Sequence, residues 1–254
     1  MNRQKPTQLN PILVIPARME SQRLPGKPLA DIGGVPMIVH VMERAKAANI
    51  GPVIIACAES EIAQAVKAAG GTAIMTDPKL PSGTDRVKAA IDIIDPDKNY
   101  NCVVNVQGDL PTLDPLAISA AVQILDDVPT CDIATLAVAT TDKREMQDPN
   151  VVKAIISFET KTRGRALYFT RASAPTGEGQ LFHHIGLYAY RRSALDRFCA
   201  LPPSVLEKRE RLEQLRALEA GMRIDVEVID SAPEGVDTLE DLKRARNIIL
   251  GRKP

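Results

Sequence analysis

The stretch ILVIPARMESQRLPGKPL, Ile12–Leu29, decides the fold class, because a short apolar run passes directly into a charged loop. Ile12–Ile15 is continuously apolar, which is typical of a strand that is covered on both faces. The loop carries Arg18, Arg23 and Lys27, and it ends in Pro-Gly-Lys-Pro, which cannot continue a helix. These cations either form a solvated surface or bind an anion, and this segment alone does not distinguish the two interpretations.

Strand-like and helix-like patterns alternate through the first half of the chain. Further apolar runs predict strands at Val53–Cys57, Thr72–Met75, Cys102–Val106 and Ile133–Val138. Apolar residues at helical spacing predict helices around residues 38–45, 62–69, 87–94 and 118–125. This βαβα succession predicts an α/β fold with a mostly parallel sheet and helices on both of its faces.

The pattern loosens after Thr140. Three β-like segments follow without crossover helices between them, and they predict an antiparallel insertion or sheet extension at residues 151–158, 166–169 and 185–190. The closing elements are predicted as a helix at 207–220, a strand at 224–229 and a helix at 238–250 with Leu239, Leu242, Ala245 and Ile249 buried. We expect a loose tail at residues 1–10 and a single domain at 11–254, with the extension at roughly 140–192.

Composition excludes several functional classes. The chain has 32 basic and 32 acidic residues and no Trp, which argues against broad binding to nucleic acid or to an anionic membrane. No apolar run approaches the about 20 residues that span a bilayer. The four cysteines are far apart in the sequence, so a zinc site is not expected, and free thiols suit a reducing compartment. We therefore predict a cytoplasmic protein.

Polar clusters follow three of the predicted strands, where open parallel sheets bind their ligands. In the first cluster, the prolines stiffen the loop and Gly26 allows backbone N–H groups to approach a ligand, so Arg18 and Lys27 suit a polyphosphate. The chain contains neither the P-loop motif nor G-x-G-x-x-G. A solvated loop remains the alternative.

The other two clusters each contain a carboxylate. Asp109 follows the strand that ends at Val106, and Asp237 follows the strand that ends at Ile229. Either side chain could hold a hard cation through its oxygens, or could serve only as a turn or helix-capping residue. If the strands are neighbours, both carboxylates and Lys27 converge, which is the arrangement that phosphoryl or nucleotidyl transfer requires.

Seven segments carry a resemblance to a known family and cover nearly the whole chain in order. They are IPARMESQRLPGKPL, SGTDRV (Ser82–Val87), VNVQGDLP (Val104–Pro111), ALYFTRASAP (Ala166–Pro175), HHIGLYAYRR (His183–Arg192), LEQLRALEAG (Leu212–Gly221) and GVDTLEDL (Gly235–Leu242). Together they closely resemble the cytidylyltransferases that activate 3-deoxy-D-manno-octulosonate (Kdo). Pro-Gly-Lys-Pro-Leu and Gly-Asp are general to sugar nucleotidyltransferases, whereas YFTRA, HHIGLYAY and LEQLR indicate Kdo.

The resemblance implies an activity and a fold. The family joins CTP and Kdo to give CMP-Kdo and pyrophosphate with Mg²⁺, for lipopolysaccharide assembly. Its fold is a Rossmann-like nucleotidyltransferase sheet, mostly parallel, with a small β-rich extension that mediates homodimerisation. The expected partners are therefore CTP, a 3-deoxy-octulosonate and a second copy of the chain, with no nucleic acid and no membrane.

The resemblance also implies roles for individual residues. The catalytic residues would be Arg18, Lys27 and Asp109, and the metal would be held by Asp109 and Asp237. The nucleotide would be bound by Ala17, Arg18, Lys27, Ser82, Gly83, Thr84, Arg86 and Asp109. The sugar acid would be bound by Gln107, Arg171, His184, Tyr188, Glu213 and Gln214. Several have an ordinary structural alternative: Thr84 could cap a helix, Arg171 could be a surface ion-pair member, Tyr188 could be a core aromatic of the extension, and Glu213 and Gln214 could form the solvent-exposed face of a helix.

Three departures from the family pattern concern the sugar rather than the reaction. Leu110 replaces a Glu, the run Cys57–Glu61 has one acid fewer, and the segment between Arg171 and His184 is shorter than usual. The alternatives are therefore a cytidylyltransferase for a related sugar acid, 8-amino-Kdo or a sialic acid, or a non-catalytic nucleotide or sugar-acid binding module.

Overall fold

The computed structural model of the chain describes residues 8–21 and 23–251. Its strands are β1 Pro11–Ala17, β2 Asp31–Ile32, β3 Val35–Pro36, β4 Val53–Cys57, β5 Thr72–Met75, β6 Cys102–Asn105, β7 Ile133–Thr140, β8 Lys153–Phe158, β9 Arg163–Thr170, β10 Leu181–Arg191 and β11 Ile224–Ile229. Its α-helices are α1 Met37–Ala47, α2 Ser60–Ala68, α3 Gly83–Ile94, α4 Pro115–Asp127, α5 Lys143–Gln147, α6 Arg192–Ala200, α7 Val205–Glu210, α8 Gln214–Glu219 and α9 Leu239–Ile249. A short 3₁₀ helix occupies Lys27–Leu29.

The chain divides into two compact units. Among the described residues, the terminal unit comprises those at 10–119 and 233–251, and the central unit comprises those at 8–9 and 120–232. The predicted single domain at 11–254 stays a prediction. Of the predicted tail at residues 1–10, residues 1–7 lie outside the described part of the chain. Asn10 is held in place, because its N–H donates to Asn101 Oδ1 at 2.7 Å.

The terminal unit contains a parallel sheet in the order β5-β4-β1-β6. Its strands are the predicted apolar runs, and the apolar residues of β1 are buried as expected for a strand covered on both faces. The chain leaves β1 toward β4 and β5 on one side and returns as β6 on the other. The strand order therefore reverses beside β1, which is the position where such sheets form a ligand crevice at their carboxyl ends.

The central unit contains a mixed sheet in the order β10-β7-β11-β9-β8. β7 and β11 are parallel, whereas the pairings of β10 with β7, β11 with β9 and β8 with β9 are antiparallel. The prediction of a mostly parallel sheet is thus right for the terminal unit, whereas the sheet of the central unit is mixed and contains the strands that were predicted as antiparallel. Residues 159–162 join β8 to β9 directly, and so short a connection permits only antiparallel pairing.

The three strands predicted after Thr140 are present as β8, β9 and β10, and two helix predictions need correction. The helix predicted at 207–220 is two helices, because Arg211 adopts a left-handed φ of 57° after α7. In α9, Leu242 and Ala245 are buried as predicted, but Leu239 is 62% exposed. The short α5 and the amphipathic α6 were not predicted. In the described part of the chain no helix has the length and hydropathy of a membrane span.

Candidate active site

The loop that follows β1 forms the first wall of the candidate site. Gly26 has a φ of 70°, a conformation that side chains disfavour, and its N–H donates to Met19 O at 3.2 Å. The Met19 N–H in turn donates to Glu59 Oε2 at 3.1 Å, which ties the loop to the end of β4. The loop therefore has a defined path and enters the 3₁₀ helix at Lys27.

Lys27 brings the two predicted metal carboxylates together. Its Nζ donates to Asp109 Oδ2 at 2.8 Å and to Asp237 Oδ1 at 3.0 Å. Arg23 Nη2 donates to Asp237 Oδ2 at 2.9 Å, so two cations and two carboxylates form one cluster. Burial lowers the pKa of Lys27, but the charges and hydrogen bonds of both carboxylates outweigh burial and raise this pKa above its ordinary value. The predicted convergence of the three residues is thus present.

Local structure explains how Asp109 reaches this cluster. Gly108 precedes it, and a Cβ at this position would lie 2.7 Å from Pro16 O, so only glycine lets the turn after β6 approach β1. Asp109 O accepts a hydrogen bond from Val236 N at 2.9 Å. This bond joins the turn that carries Asp109 to the segment that carries Asp237.

Asp237 is not the capping residue of α9. Thr238 is the N-cap: its side chain accepts from Asp241 N, and Asp241 closes a capping box. The carboxylate of Asp237 is therefore available for Lys27 and Arg23. Val236 beside it is fully buried in an apolar cluster that also contains Leu24, Ile32, Met37, Leu242 and Ala245. The same cluster anchors the loop before Lys27 and the segment before Asp237.

These groups face a cavity of about 610 Å³ in the terminal unit. Its lining includes the predicted residues Ala17, Arg18, Lys27, Ser82, Gly83, Arg86, Gln107, Asp109 and Asp237. Thr84 is the predicted nucleotide residue that does not line it, because Thr84 is buried in the first turn of α3. The sequence prediction missed Pro16, Glu20, Ser21, Arg23, Pro28 and Gly108 as lining residues. Arg23 could have been predicted from the sequence, since it is one of the three cations of the loop after β1.

The start of α3 forms another wall. Ser82 is the N-cap, with its Oγ accepting from Asp85 N at 3.1 Å, so the suggestion that Thr84 caps this helix is wrong. Arg86 is buried, and its Nη1 donates to Thr76 Oγ1 at 2.7 Å. Its Nη2 is buried with no hydrogen-bond partner among the described residues. Burial and the charge of Arg18 lower the pKa of Arg86, while the carboxylate of Glu59 opposes them. This cavity wall therefore contains an unused donor.

The two carboxylates suit a hard divalent cation whose remaining ligands come from the substrate and from water. Across residues 8–21 and 23–251, no group of three or more His, Cys, Asp or Glu side chains is arranged to hold a metal. Asp109 and Asp237 supply two carboxylates, and Mg²⁺ is commonly bound by one or two carboxylates together with substrate phosphates and water. The pair thus suits a metal that arrives with a nucleotide better than a permanent all-protein site.

The predicted sugar-acid residues divide between the two units. Gln107 lines the cavity of the terminal unit, where its Nε2 donates to Asn105 Oδ1 at 3.2 Å. The other five belong to the central unit: Arg171, His184, Tyr188, Glu213 and Gln214. Gln214 is 6% exposed, so the alternative of a wet helix face is wrong for this residue.

Two of these side chains form an aromatic pair on β10, in which His184 is buried and Tyr188 is half-buried. The rings of His184 and Tyr188 lie 5.5 Å apart, and His184 also packs edge-on against Phe169. Thr135 Oγ1 lies 2.9 Å from His184 Nε2 and 2.8 Å from Leu187 O. Because the hydroxyl hydrogen goes to a carbonyl, Nε2 of His184 is the donor to Oγ1 and Nδ1 is left as an acceptor.

Their ionisation follows from burial. Burial, with a smaller contribution from His183, lowers the pKa of His184 to about 3, so the imidazole is neutral at physiological pH. Burial and then the carboxylate of Glu213 raise the pKa of Tyr188. The pair therefore offers an uncharged acceptor and a hydroxyl to a ligand.

Arg171 is not the member of a surface ion pair. It directly follows β9, and its Nε donates to Glu210 O and its Nη1 to Pro149 O, both at 2.9 Å. Its backbone N–H donates to Glu210 Oε2 at 3.0 Å. The guanidinium is thus oriented by main-chain carbonyls from two segments of the central unit.

Comparison with known proteins assigns this arrangement to a family. The family model described as "Cytidylyltransferase" matches residues 12–224. A 3-deoxy-manno-octulosonate cytidylyltransferase from Rhodospirillum centenum is 61% identical over 241 residues, covering 94% of this chain and 93% of that protein. One of the same name from Rhodospirillum rubrum is 60% identical over 240 residues, covering 94% and 95%.

A solved structure agrees with this assignment. The CMP:2-keto-3-deoxy-manno-octonic acid synthetase complexed with CTP superposes with a TM-score of 0.88 at 36% identity, covering 96% of this chain and 100% of that one. The fold is therefore a nucleotidyltransferase-like α/β fold with a mixed sheet. The chain belongs to the cytidylyltransferases, within the 3-deoxy-manno-octulosonate cytidylyltransferase family.

Proposed function

We propose that this chain transfers CMP from CTP to the anomeric hydroxyl of Kdo, giving CMP-Kdo and pyrophosphate for lipopolysaccharide assembly. The observation that carries the proposal is the contact of Lys27 with Asp109 and Asp237, at 2.8 and 3.0 Å, on the wall of one cavity. The names of relatives at about 60% identity and the CTP-bound structure at 36% identity support the choice of substrates.

The cations of the first loop suit the triphosphate. Arg18 is half-exposed at the cavity, and Lys27 can turn from the carboxylates toward phosphate oxygens when the nucleotide enters. Positive charge at these positions stabilises the negative charge that develops on the α-phosphoryl group and on the leaving pyrophosphate. Arg18 and Lys27 are therefore the proposed catalytic cations, together with the carboxylate of Asp109.

Nucleotidyl transfer from a nucleoside triphosphate in general uses a divalent metal, and Mg²⁺ held by Asp109 and Asp237 would neutralise phosphate charge and lower the pKa of the attacking hydroxyl. The chain itself contributes the two carboxylates and keeps them close together. The Val236 N–H to Asp109 O bond, at 2.9 Å, links their segments and maintains this proximity.

The wall made by Ser82, Gly83 and Arg86 suits cytidine. Arg86 Nη2 is a buried donor without a described partner, and a base carbonyl would satisfy it. Gly83 lines this wall without a side chain, so the main chain itself faces the cavity. Ala17 lines the same cavity with a small side chain, and Thr84 supports the wall from within α3.

The remaining residues are proposed to bind the sugar acid. Arg171 would pair with the carboxylate, because guanidinium N–H groups match the two oxygens of a carboxylate. Neutral His184 would accept from a sugar hydroxyl through Nδ1, and Tyr188 would contribute its phenol group. Glu213, Gln214 and Gln107 supply further acceptors and donors for hydroxyl groups.

The test is pyrophosphate release by the recombinant protein with CTP, Mg²⁺ and a panel of Kdo, 8-amino-Kdo and a sialic acid. We expect release with Kdo. Release only with another sugar acid would reassign the substrate, and CTP binding without any release would favour a non-catalytic binding module. Asp109→Asn should retain the fold, checked by circular dichroism, and lose most turnover, because the cavity then lacks one of its two carboxylates.

We further propose that the protein acts as a cytoplasmic homodimer that binds neither nucleic acid nor membrane. Leu167 and Phe158 on the extension strands are 58% and 40% exposed, which supports a partner surface there. Cys57, Cys102 and Cys131 are buried, and buried thiols suit a reducing compartment. Light scattering should give twice the mass of the 27.5 kDa chain.

A further inference from the structure

Lys153 is a buried cation of the central unit that the proposed chemistry does not use. It begins β8 and is 1% exposed. Its Nζ donates to three backbone carbonyls: Asp148 O at 2.7 Å, Val151 O at 2.7 Å and Arg171 O at 3.1 Å. An ammonium group has three N–H donors, so these carbonyls use all of them.

The three acceptors connect two separate parts of the unit. Asp148 and Val151 belong to the turn before β8, which we name the 148–151 turn, and Arg171 follows β9. A second link runs between the same parts, because the Arg171 guanidinium donates through Nη1 to Pro149 O at 2.9 Å. Lys153 therefore holds the main chain of Arg171 against the turn that its side chain also contacts.

The opposite side of Arg171 is fixed as well. Its Nε donates to Glu210 O at 2.9 Å, and the Glu210 carboxylate accepts from Arg171 N at 3.0 Å and from Thr170 Oγ1 at 2.8 Å. The Nε–H group, one Nη1–H group and one Nη2–H group, which donates to Arg211 O at 3.5 Å, are thus engaged. The donors that remain for a carboxylate lie at the Nη1 and Nη2 end of the guanidinium.

We propose that Lys153 is a positioning residue for sugar-acid binding: its ammonium joins the 148–151 turn to Arg171 and thereby sets the direction in which the guanidinium presents its Nη1 and Nη2 donors. This inference rests on the proposed role of Arg171. A lysine buried to this degree is costly unless its charge is fully hydrogen-bonded, and an apolar residue of similar length would fill the same space without that cost.

Lys153→Met tests the inference, with Lys143→Met as a control because Lys143 is exposed on the nearby α5. We expect KM for Kdo to rise about tenfold or more in Lys153→Met, since each about 1.4 kcal/mol of binding energy is a factor of ten. KM for CTP should stay within about twofold of wild type. A rise of both KM values by equal factors would overturn the inference, because that is the result of a general structural effect.

A double-mutant cycle with Arg171→Gln separates positioning from a direct contact. If Lys153 acts through Arg171, adding Lys153→Met to Arg171→Gln should leave KM for Kdo unchanged. Multiplication of the two single effects would overturn the inference. Should Lys153→Met fail to fold by circular dichroism, Lys153→Gln enters the same cycle, because its amide keeps two N–H donors without the charge.

Failure of the proposed function has a different signature. It would be wild-type protein that releases no pyrophosphate with any sugar acid. Calorimetric titration of Kdo into wild type and the variants then measures the inference without turnover. The inference is supported if Lys153→Met binds Kdo about tenfold more weakly than wild type, while the double variant binds Kdo as well as Arg171→Gln alone. An equal Kd for Kdo in Lys153→Met and wild type contradicts it.

Discussion

At the scale of single residues, the charge cluster at the cavity is balanced. Lys27 and Arg23 together neutralise Asp109 and Asp237 in the absence of a nucleotide. A divalent cation cannot bind both carboxylates closely while the ammonium of Lys27 lies between them. Entry of a triphosphate gives Lys27 a new anionic partner, so nucleotide and metal should bind together.

Lys27→Met should therefore have opposite effects on metal affinity and on catalysis. Without nucleotide, the variant should bind Mn²⁺ at least about tenfold tighter than wild type, since the ammonium of Lys27 no longer neutralises Asp109 and Asp237. Pyrophosphate release should fall about 10²–10³-fold because one charge that stabilises the transition state is absent. Electron paramagnetic resonance of free Mn²⁺ measures the affinity, with Lys46→Met as the surface control. Equal Mn²⁺ affinity in variant and wild type would contradict the account.

A second prediction at the residue scale concerns stability and pH. Unfolded His184 takes up a proton below about pH 6.5, whereas folded His184 does so only near its pKa of about 3. The unfolded state therefore binds more protons between these values, and the free energy of unfolding falls as the pH is lowered through this window. His184 contributes a fall of roughly 2 kcal/mol between pH 7 and 5.

Urea unfolding at the two pH values measures this fall. His184→Gln should show a smaller fall than wild type, because it has no imidazole to protonate in the unfolded state. Tyr188→Phe keeps the imidazole and should retain the wild-type fall. Identical pH dependence in all three proteins would remove the assignment of a neutral buried His184.

At the scale of elements, helix α9 supports the site through the apolar cluster that its buried residues Leu242 and Ala245 share with the two segments of the site. The apolar cluster under it holds Leu24 in the first loop and Val236 beside Asp237, so one packed group fixes both sides of the contact with Lys27. Periodicity predicted Leu239 and Leu242 on the same buried stripe, but only Leu242 is buried. Leu239 is in the first turn of the helix, where the chain has just left the core, and its side chain faces solvent.

Leu242→Ala should lower the free energy of unfolding by about 2–5 kcal/mol, because it opens a cavity in this cluster. The same change at exposed Leu239 should cost no more than about 0.5 kcal/mol. Chemical denaturation of both variants measures the difference. We also expect lower turnover in Leu242→Ala alone, since Val236 and hence Asp237 lose support. Equal destabilisation by the two changes would contradict the packing described for α9.

At the scale of the whole molecule, the two ligands are assigned to different units. The proposed nucleotide residues all belong to the terminal unit, whereas the proposed sugar-acid residues, except Gln107, belong to the central unit. Ligand binding should therefore protect distinct parts of the chain.

Hydrogen exchange with mass spectrometry can detect this separation. CTP with Mg²⁺ should slow exchange at residues 16–28, 82–86 and 107–110, because ligand binding suppresses local opening. Kdo, added to the nucleotide-bound protein, should slow exchange at residues 148–151, 171–184 and 210–214. The Arg171→Gln variant is the control for the second set. Protection by Kdo that is confined to the terminal unit would refute the assigned sugar site.

The parallel sheet of the terminal unit and the polar residues at its strand ends were predictable from the amino-acid sequence. Those features are local, because a continuous apolar run followed by a charged loop specifies a buried strand and the position of the loop cations. The antiparallel direction of β8, β9 and β10 was predicted from the lack of crossover helices, but the order of the strands in the central unit was not, since it depends on connections with no strong pattern. Arg211 likewise broke a helix that the apolar spacing alone had predicted to be continuous.

Which charged side chains contact one another depends on how the folded chain packs. Lys27 is 82 residues from Asp109 and 210 from Asp237, and their contact depends on packing of the sheet, a glycine at position 108 and the apolar cluster beneath α9. Lys153 had no sequence signal, because its three acceptors are main-chain carbonyls, which every residue type possesses. Hydrogen bonds of this kind are set by where the folded backbone runs, and residue patterns along the chain do not record them.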